Sequence, residues 1–276
     1  MNDSTNLLSL EGLVFEATEI KLDGHVLSIT LNRPEKRNAI NTVMGNEIAY
    51  ALSYASQESN VRVVIIQAKG EVFCAGGDLA SMSGQVEETV STVPKIGGFD
   101  SISLLIRNIN KPVICKIQGS VYAGALLMVS NATHAIAVNE AKFAAPEIKR
   151  GIWPFMVMAG LFRVMPKRQG LDFIMRGEAI DAMTAEKYGL ITQAVAKDEL
   201  DQTVNKLATD FANLPPKTMK MGLAAYNRQD AMAFDDALPY LKEQLAKCLQ
   251  AEDAKEGIAA FFEKREPKWK GGKNES

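Results

Sequence analysis

Two short segments carry residue types that could do chemistry. In VRVVIIQAKGEVFCAGGDL, Ala75, Gly76 and Gly77 precede Asp78; in KPVICKIQGSVYAGALLMV, Gly119 ends an apolar run and Ala123, Gly124 and Ala125 open the next. Each segment is a buried-strand pattern that empties into small residues and then begins a helix. Residues without bulk let a ligand approach the main chain, and the first N–H groups of a helix have no intrahelical partner. Each turn can therefore offer one N–H to an anion. Two such donors converging on one oxygen would stabilise a developing oxyanion, each by roughly 3 kcal/mol. Taken singly, either segment reads equally well as an ordinary glycine-rich turn.

The elements that must hold these turns alternate between strand and helix. His25 to Leu31 alternates Leu27, Ile29 and Leu31 with Ser28 and Thr30, as a strand does, and stops at Asn32-Arg33-Pro34. A helix capped by Asn41 or Thr42 places Met44, Ile48, Leu52 and Ala55 on one face. Val61 to Ala68, Pro112 to Gln118, Thr133 to Val138 and Ile191 to Val195 read as further strands. Their β-branched, nearly continuous apolar runs suit strands covered on both faces. Ile102, Leu105, Ile106 and Ile109 mark another helix, and 79–99 reads as a loop beside the site. The result is an α/β alternation without a detectable sequence repeat. Beyond Val195 the pattern becomes helical. Leu200, Val204, Leu207, Phe211 and Leu214 form a narrow seam that predicts helix-to-helix packing, and Pro215-Pro216 ends it. Two further helical segments follow, with a break near Asp253 and a tail expected to fray from Pro267. The expected division is 1–200 as the core with the site and 201–276 as a helical region.

Composition bounds the partners. A formal charge of -2 supplies no basic footprint for nucleic acid, although Lys36-Arg37 could meet a phosphate. Cys74, Cys115 and Cys248 form no CxxC pair and only two histidines are present, so no metal site or disulfide framework is expected. The N-terminus lacks a basic segment followed by an apolar core, and no run is long enough to cross a membrane. A soluble, cytoplasmic protein is the expectation.

Six motifs taken together are more specific: RPEKRNAI (Arg33 to Ile40), FCAGGDL (Phe73 to Leu79), KPVICKIQGSVYAGA (Lys111 to Ala125), FAAPEIKRGI (Phe143 to Ile152), TAEKYGLI (Thr184 to Ile191) and GIAAFFEKR (Gly257 to Arg265). In this order and spacing they resemble the crotonase superfamily of enoyl-CoA hydratases and isomerases, over about residues 20 to 270. The resemblance implies a crotonase-type spiral of repeated ββα units with a C-terminal helical trimerisation region, assembled as a homotrimer or hexamer. It implies an acyl-CoA thioester as substrate and no separate cofactor. Gly77 and Gly124 fall where the family places its two oxyanion-hole amides. Lys36, Arg37, Ala75 and Asp78 fall in its CoA adenine and phosphate region. Phe261 and Lys264 resemble the aromatic and lysine that a C-terminal helix lays on the nucleotide, often from a neighbouring subunit.

The carboxylates depart from the hydratase pattern. Family hydratases with two glutamates place the first three residues after the second oxyanion glycine, where this chain has Leu127; the second, in the PE dipeptide, is present as Glu147. Adding water to a double bond is easiest with two proton-handling groups, whereas moving the bond from the 3,4 to the 2,3 position needs one base. A lone glutamate in an apolar pocket suits the second task, because burial raises its pKa toward working pH. Isomerisation is thus the favoured expectation, with hydration and non-catalytic acyl-CoA binding as alternatives. Trp153, Phe155 and Met156, in place of a glycine-rich stretch, predict a bulkier acyl wall or a buried helix, to which Phe99 and Tyr122 could add. His25 and His134 lie outside the motifs and read as structural.

Overall fold

The fold is that of a computed structural model, which describes residues 8–84 and 88–270. Two sheets form its centre. The larger contains β1 (Thr18–Asp23), β2 (Val26–Leu31), β3 (Val63–Ala68), β5 (Val113–Ile117), β7 (His134–Val138) and β10 (Gln193–Val195), in the spatial order β1-β2-β3-β5-β7-β10. Only β1 is antiparallel to its neighbour. The smaller contains β4 (Val72–Cys74), β6 (Ser120–Tyr122), β8 (Lys142–Ala144) and β9 (Ile180–Asp181), in that order. β4, β6 and β8 run parallel and β9 antiparallel.

The chain visits the sheets alternately. After β3, β5 and β7 it turns through 69–71, 118–119 and 139–141 and adds β4, β6 and β8 to the second sheet in the same order. This is the expected repeat of two strands and a helical connection. The long strands answer to their apolar runs: Val63, Val64, Ile66, Val113, Ile114 and Cys115 are fully buried. The short strands of the second sheet, at two or three residues each, carry no readable period. Phe73 of β4 and Phe143 of β8, both fully buried, anchor that sheet to the core.

Helices close both faces. α1 (Thr42–Gln57) is capped by Asn41, whose Oδ1 accepts the Met44 N–H at 2.9 Å, and buries Met44, Ile48, Leu52 and Ala55. Between β4 and β5 lie α2 (Leu79–Met82) and α3 (Ile102–Asn108); α4 (Leu126–Val129) follows β6. Next come α5 (Phe155–Val164), α6 (Lys167–Arg176) and α7 (Ala182–Lys187). The last four are α8 (Leu200–Ala212), α9 (Pro216–Gln229), α10 (Phe234–Gln250) and α11 (Glu252–Glu263). Among the described residues, no helix is long and apolar enough to cross a membrane.

Two expectations need correction. The seam of α8 faces a sheet and not another helix: Leu200, Val204, Ala208 and Ala212 are buried against β2, β3, β5 and β7, while Leu214 is exposed. Small alanines at every fourth position let the helix lie flat on the strands. α8 is thus itself a layer of the core. The tail from Pro267 is held as far as Lys270. Lys268 N–H donates to Glu256 Oε1 at 2.7 Å, and the Trp269 ring packs on Gly257. Residues 271–276 lie outside the described residues.

One buried charge ties the N-terminal strand to the helical layer. Glu47 on α1 is fully buried and accepts from the N–H groups of Glu16 (2.7 Å) and Ala17 (3.0 Å) and the hydroxyls of Thr18 (2.9 Å) and Ser91 (2.7 Å). Four donors replace the water a carboxylate would otherwise require. Glu47→Ala orphans them together, so the urea midpoint is expected to fall by the equivalent of about 3 kcal/mol, since each unsatisfied buried donor costs about 1–3 kcal/mol and such losses overlap.

Candidate active site

The second sheet gathers the chemistry. Cys74 of β4 pairs with Val121 of β6, and Val121 and Tyr122 pair with Phe143 and Ala144 of β8. Gly77, Gly124 and Glu147 each follow within three residues of these parallel strand ends. All three thus leave the same edge, Gly77 and Gly124 from adjacent strands about 4.8 Å apart and Glu147 one strand further. Three segments distant in sequence meet because parallel strands share one direction.

The first glycine turn is held open by the RPEKRN segment. Asn38 is fully buried in the left-handed region (φ 53), accepts the Arg33 N–H at 2.9 Å and donates to the carbonyls of Lys69 (2.8 Å) and Val72 (2.9 Å). The Ala75 N–H donates to Arg37 O, the Ile40 N–H to Gly76 O and the Asp78 N–H to Ile40 O. In that bridge Ile40 uses the groups on either side of Gly77, so the N–H of Gly77 itself faces away from Ile40. Asp78 caps α2 through the N–H groups of Ala80 and Ser81 and pairs with Arg33 Nη1 at 3.1 Å. These partners hold its carboxyl below the usual range against the opposing effect of burial.

The second turn comes within contact distance of the first. Ala123 has φ 52, unusual for a residue with a side chain, and bends β6 sharply into the helical turn that contains Gly124. Gly76, at φ 96, lies against that bend. A Cβ there would stand 2.8 Å from Ala123 Cβ and 3.0 Å from Gly124 N. Gly76 is thus the contact between the two loops. The Gly-Gly pair in AGGD signals it, although only Gly77 stands out as a donor.

Glu147 lies in a short 3-10 turn, Pro146–Arg150, closed by Gly151. Its Oε2 is buried with no hydrogen-bond partner. Burial raises its pKa, and its own backbone N–H and the nearby Arg150 only partly oppose this. Leu127 is buried on α4. Phe99 reaches the glycines: its Cζ stands 2.3 Å from where a Gly124 Cβ would lie and 4.0 Å from where a Gly77 Cβ would lie.

The remaining expected residues divide. Lys36 and Arg37 project exposed from the segment whose Arg37 carbonyl holds Ala75, so with Ala75 and Asp78 they border the first glycine turn. Phe261 and Lys264 do not join them within one chain. Phe261 is exposed on α11, Lys264 caps that helix, and the following Arg265, Lys268 and Trp269 line a cavity with His25 and Arg62. His25 and Arg62 precede β2 and β3, whereas the glycine turns lie beyond the opposite end of β3, six residues or about 20 Å along the strand. Phe155 and Met156 are exposed, and α5 buries Val157, Gly160 and Leu161 instead. Trp153, Met158 and Phe162 are partly buried against the core, and Trp153 Nε1 meets Met158 Sδ. His134 packs on Phe211 with the two rings tilted, and His25 Nδ1 contacts Asn60 O.

Two linked sheets with parallel strands, alternately visited and closed by a run of C-terminal helices, are the crotonase fold. The chain belongs to the enoyl-CoA hydratase/isomerase family, whose profile matches residues 21–273. Among curated relatives, it is 31% identical to mevalonyl-coenzyme A hydratase sidH of Aspergillus fumigatus over 90% of this chain and 93% of that protein. It is 28% identical to enoyl-CoA hydratase domain-containing protein 3, mitochondrial, of Homo sapiens over 90% of this chain and 82% of that one. A solved enoyl-CoA hydratase from Mycobacterium smegmatis superposes with a TM-score of 0.83 at 26% identity, covering 92% of this chain and 99% of the other. Membership makes this protein a crotonase-type enzyme acting on coenzyme A thioesters.

Proposed function

We propose that the N–H groups of Gly77 and Gly124 hold the thioester oxygen of an unsaturated acyl-CoA and that Glu147 moves the proton, shifting a 3,4 double bond to the 2,3 position. The observation that carries this reading is the lone carboxylate: Glu147 Oε2 is buried and unpartnered, while the position of a second glutamate is the buried Leu127. The Glu147 carboxylate takes a proton from C2, and the C2–H electron pair passes into the thioester, leaving a dienolate whose oxygen accepts from the two amides. The carboxylic acid then returns the proton to C4, the 2,3 double bond forms and the carbonyl is restored. No water or second acid enters.

Lys36 and Arg37, exposed beside the first glycine turn, suit the phosphates of the CoA moiety. Leu238, Leu245, Leu249, Phe261 and Phe262 are exposed on α10 and α11, which supports a homotrimer or hexamer in which α11 takes Phe261 and Lys264 to a neighbouring subunit's nucleotide.

Hydration is the second reading, favoured by the hydratase names of the relatives. Offering a 3-enoyl-CoA and a 2-enoyl-CoA separately to the purified protein distinguishes the two. Conversion of the first with little water addition to the second is expected; rapid water addition to the 2-enoyl substrate would overturn the isomerase reading. Leu127→Glu restores a second carboxylate and is expected to raise hydration by about tenfold or more. It also lowers the thermal midpoint, because the new charge replaces a buried leucine.

A further inference from the structure

Phe99 is rigidly placed for a residue that follows a long connection. Asn46 on α1 binds the approaching chain on both sides: its Nδ2 donates to the carbonyls of Val93 (3.3 Å) and Pro94 (3.1 Å), and its Oδ1 accepts from Ile96 N–H (2.9 Å). Ser101 Oγ accepts the Gly98 N–H at 3.0 Å and donates to Gly98 O at 2.7 Å, closing the turn around Phe99. A Cβ on Gly45 would stand 2.9 Å from Phe99 N, so α1 seats the backbone of Phe99 in direct contact. Ile102 and Ile106, both buried, lock the helix that follows. From this mount the ring tip reaches Gly124 and comes near Gly77, while Met82 Sδ lies 3.0 Å from where a Gly77 Cβ would stand. Side chains of one connection thus line the space beside both amides.

We infer that Phe99 is a specificity-determining residue whose ring fills the space beside the two glycines, so that the site selects acyl thioesters carrying no branch at C2. This rests on the oxyanion role proposed above for Gly77 and Gly124. With the thioester oxygen between those amides, C2 lies one bond beyond the carbonyl carbon, and in this proposal a methyl on C2 is set against the ring that borders both glycines. A wall fixed at its backbone cannot yield by rotating out of a loop, and close-packed contacts register a single methyl group.

Calorimetric binding of butyryl-CoA and isobutyryl-CoA, which differ in branching at C2, tests this without depending on which reaction follows. Wild-type protein is expected to favour butyryl-CoA by about tenfold or more, the discrimination one methyl group can supply. In Phe99→Ala, and to a smaller extent in Phe99→Leu, which keeps apolar bulk but removes the ring tip, the ratio is expected to fall to about threefold or less. An unchanged ratio with butyryl-CoA still bound overturns the role of Phe99 and leaves the acyl-CoA reading standing. Failure of wild-type protein to bind either thioester overturns both. A second pair guards against a folding defect. Gly124→Ala puts a Cβ against the ring and is expected to weaken butyryl-CoA binding in the Phe99 background but much less in the Phe99→Leu background. Equal losses in both would show that the ring is not what the glycine accommodates.

Discussion

Glu147→Gln is expected to lower turnover of the enoyl thioester by roughly 10²–10⁴-fold, the range a positioned general base supplies, with little change in CoA affinity. The amide keeps the shape of the carboxyl and removes its basicity, so the loss appears in kcat. Because burial raises the pKa of Glu147, the pH dependence has a defined sign. The working form is the carboxylate, and activity is lost as pH falls through a pKa higher than that of an ordinary glutamate. Stability moves the other way. A raised folded-state pKa means that the ionised group is disfavoured by the fold, a cost present at neutral pH and relieved as pH falls through that pKa. Glu147→Gln removes the cost and is expected to raise the thermal midpoint at pH 7 slightly, with the advantage disappearing in acid. A variant both inactive and a little more stable marks a functional residue held at the expense of the fold. Turnover near wild type would remove Glu147 from the mechanism.

Gly76→Ala is expected to cost roughly 10²–10³-fold in kcat, the loss associated with one misplaced oxyanion donor, although Gly76 donates nothing in the proposed reaction. Two effects act together. The backbone at φ 96 is one that alanine adopts only under strain, and the added Cβ would fall 3.0 Å from Gly124 N and 2.8 Å from Ala123 Cβ. The two loops must separate, and the amides of Gly77 and Gly124 with them. Cys74, whose Sγ lies 3.0 Å from Asn38 O beneath the turn, is buried and has its thiol pKa pushed up to about 12, so it is no alternative nucleophile to take over. Measuring kcat beside CoA affinity separates this from general damage. The phosphate contacts proposed for Lys36 and Arg37 are not touched by the added Cβ, so CoA binding should persist while turnover falls. Equal loss of both would point to a collapsed site.

Much of the first sheet is readable from residue type, because β2, β3, β5 and β7 are long enough to show alternation or a continuous β-branched run. The second sheet is not, although the candidate site residues follow its strands. β4, β6, β8 and β9 span two or three residues each, less than any period needs; β4, β6 and β8 each extend a strand of the first sheet across a short turn, and β9, arriving after α6, pairs antiparallel with β8. The helical region shows the same limit. The seam beginning at Leu200 correctly marks a helix, but periodicity does not say whether its partner is a helix or a sheet. The Trp153 to Met156 stretch is apolar in sequence, yet Phe155 and Met156 at the start of α5 face outward in the single chain.

For the candidate site, the chain alone specified composition: small residues at Gly76, Gly77 and Gly124, one glutamate at 147, and leucine at 127 in place of a second acid. These are local choices, legible because chemistry restricts which side chains can stand there. Tertiary structure decided proximity and orientation. It brought three strand ends to one edge, turned the Gly77 amide away from Ile40, left Glu147 Oε2 buried without a partner, and set Phe99 against Gly124. It also put Arg265 and Trp269, which follow Lys264, beside His25 and Arg62 at the start of β2 and β3. The reason is physical: a side chain's capacity resides in its own atoms, whereas distance and desolvation arise only when segments remote in sequence pack together.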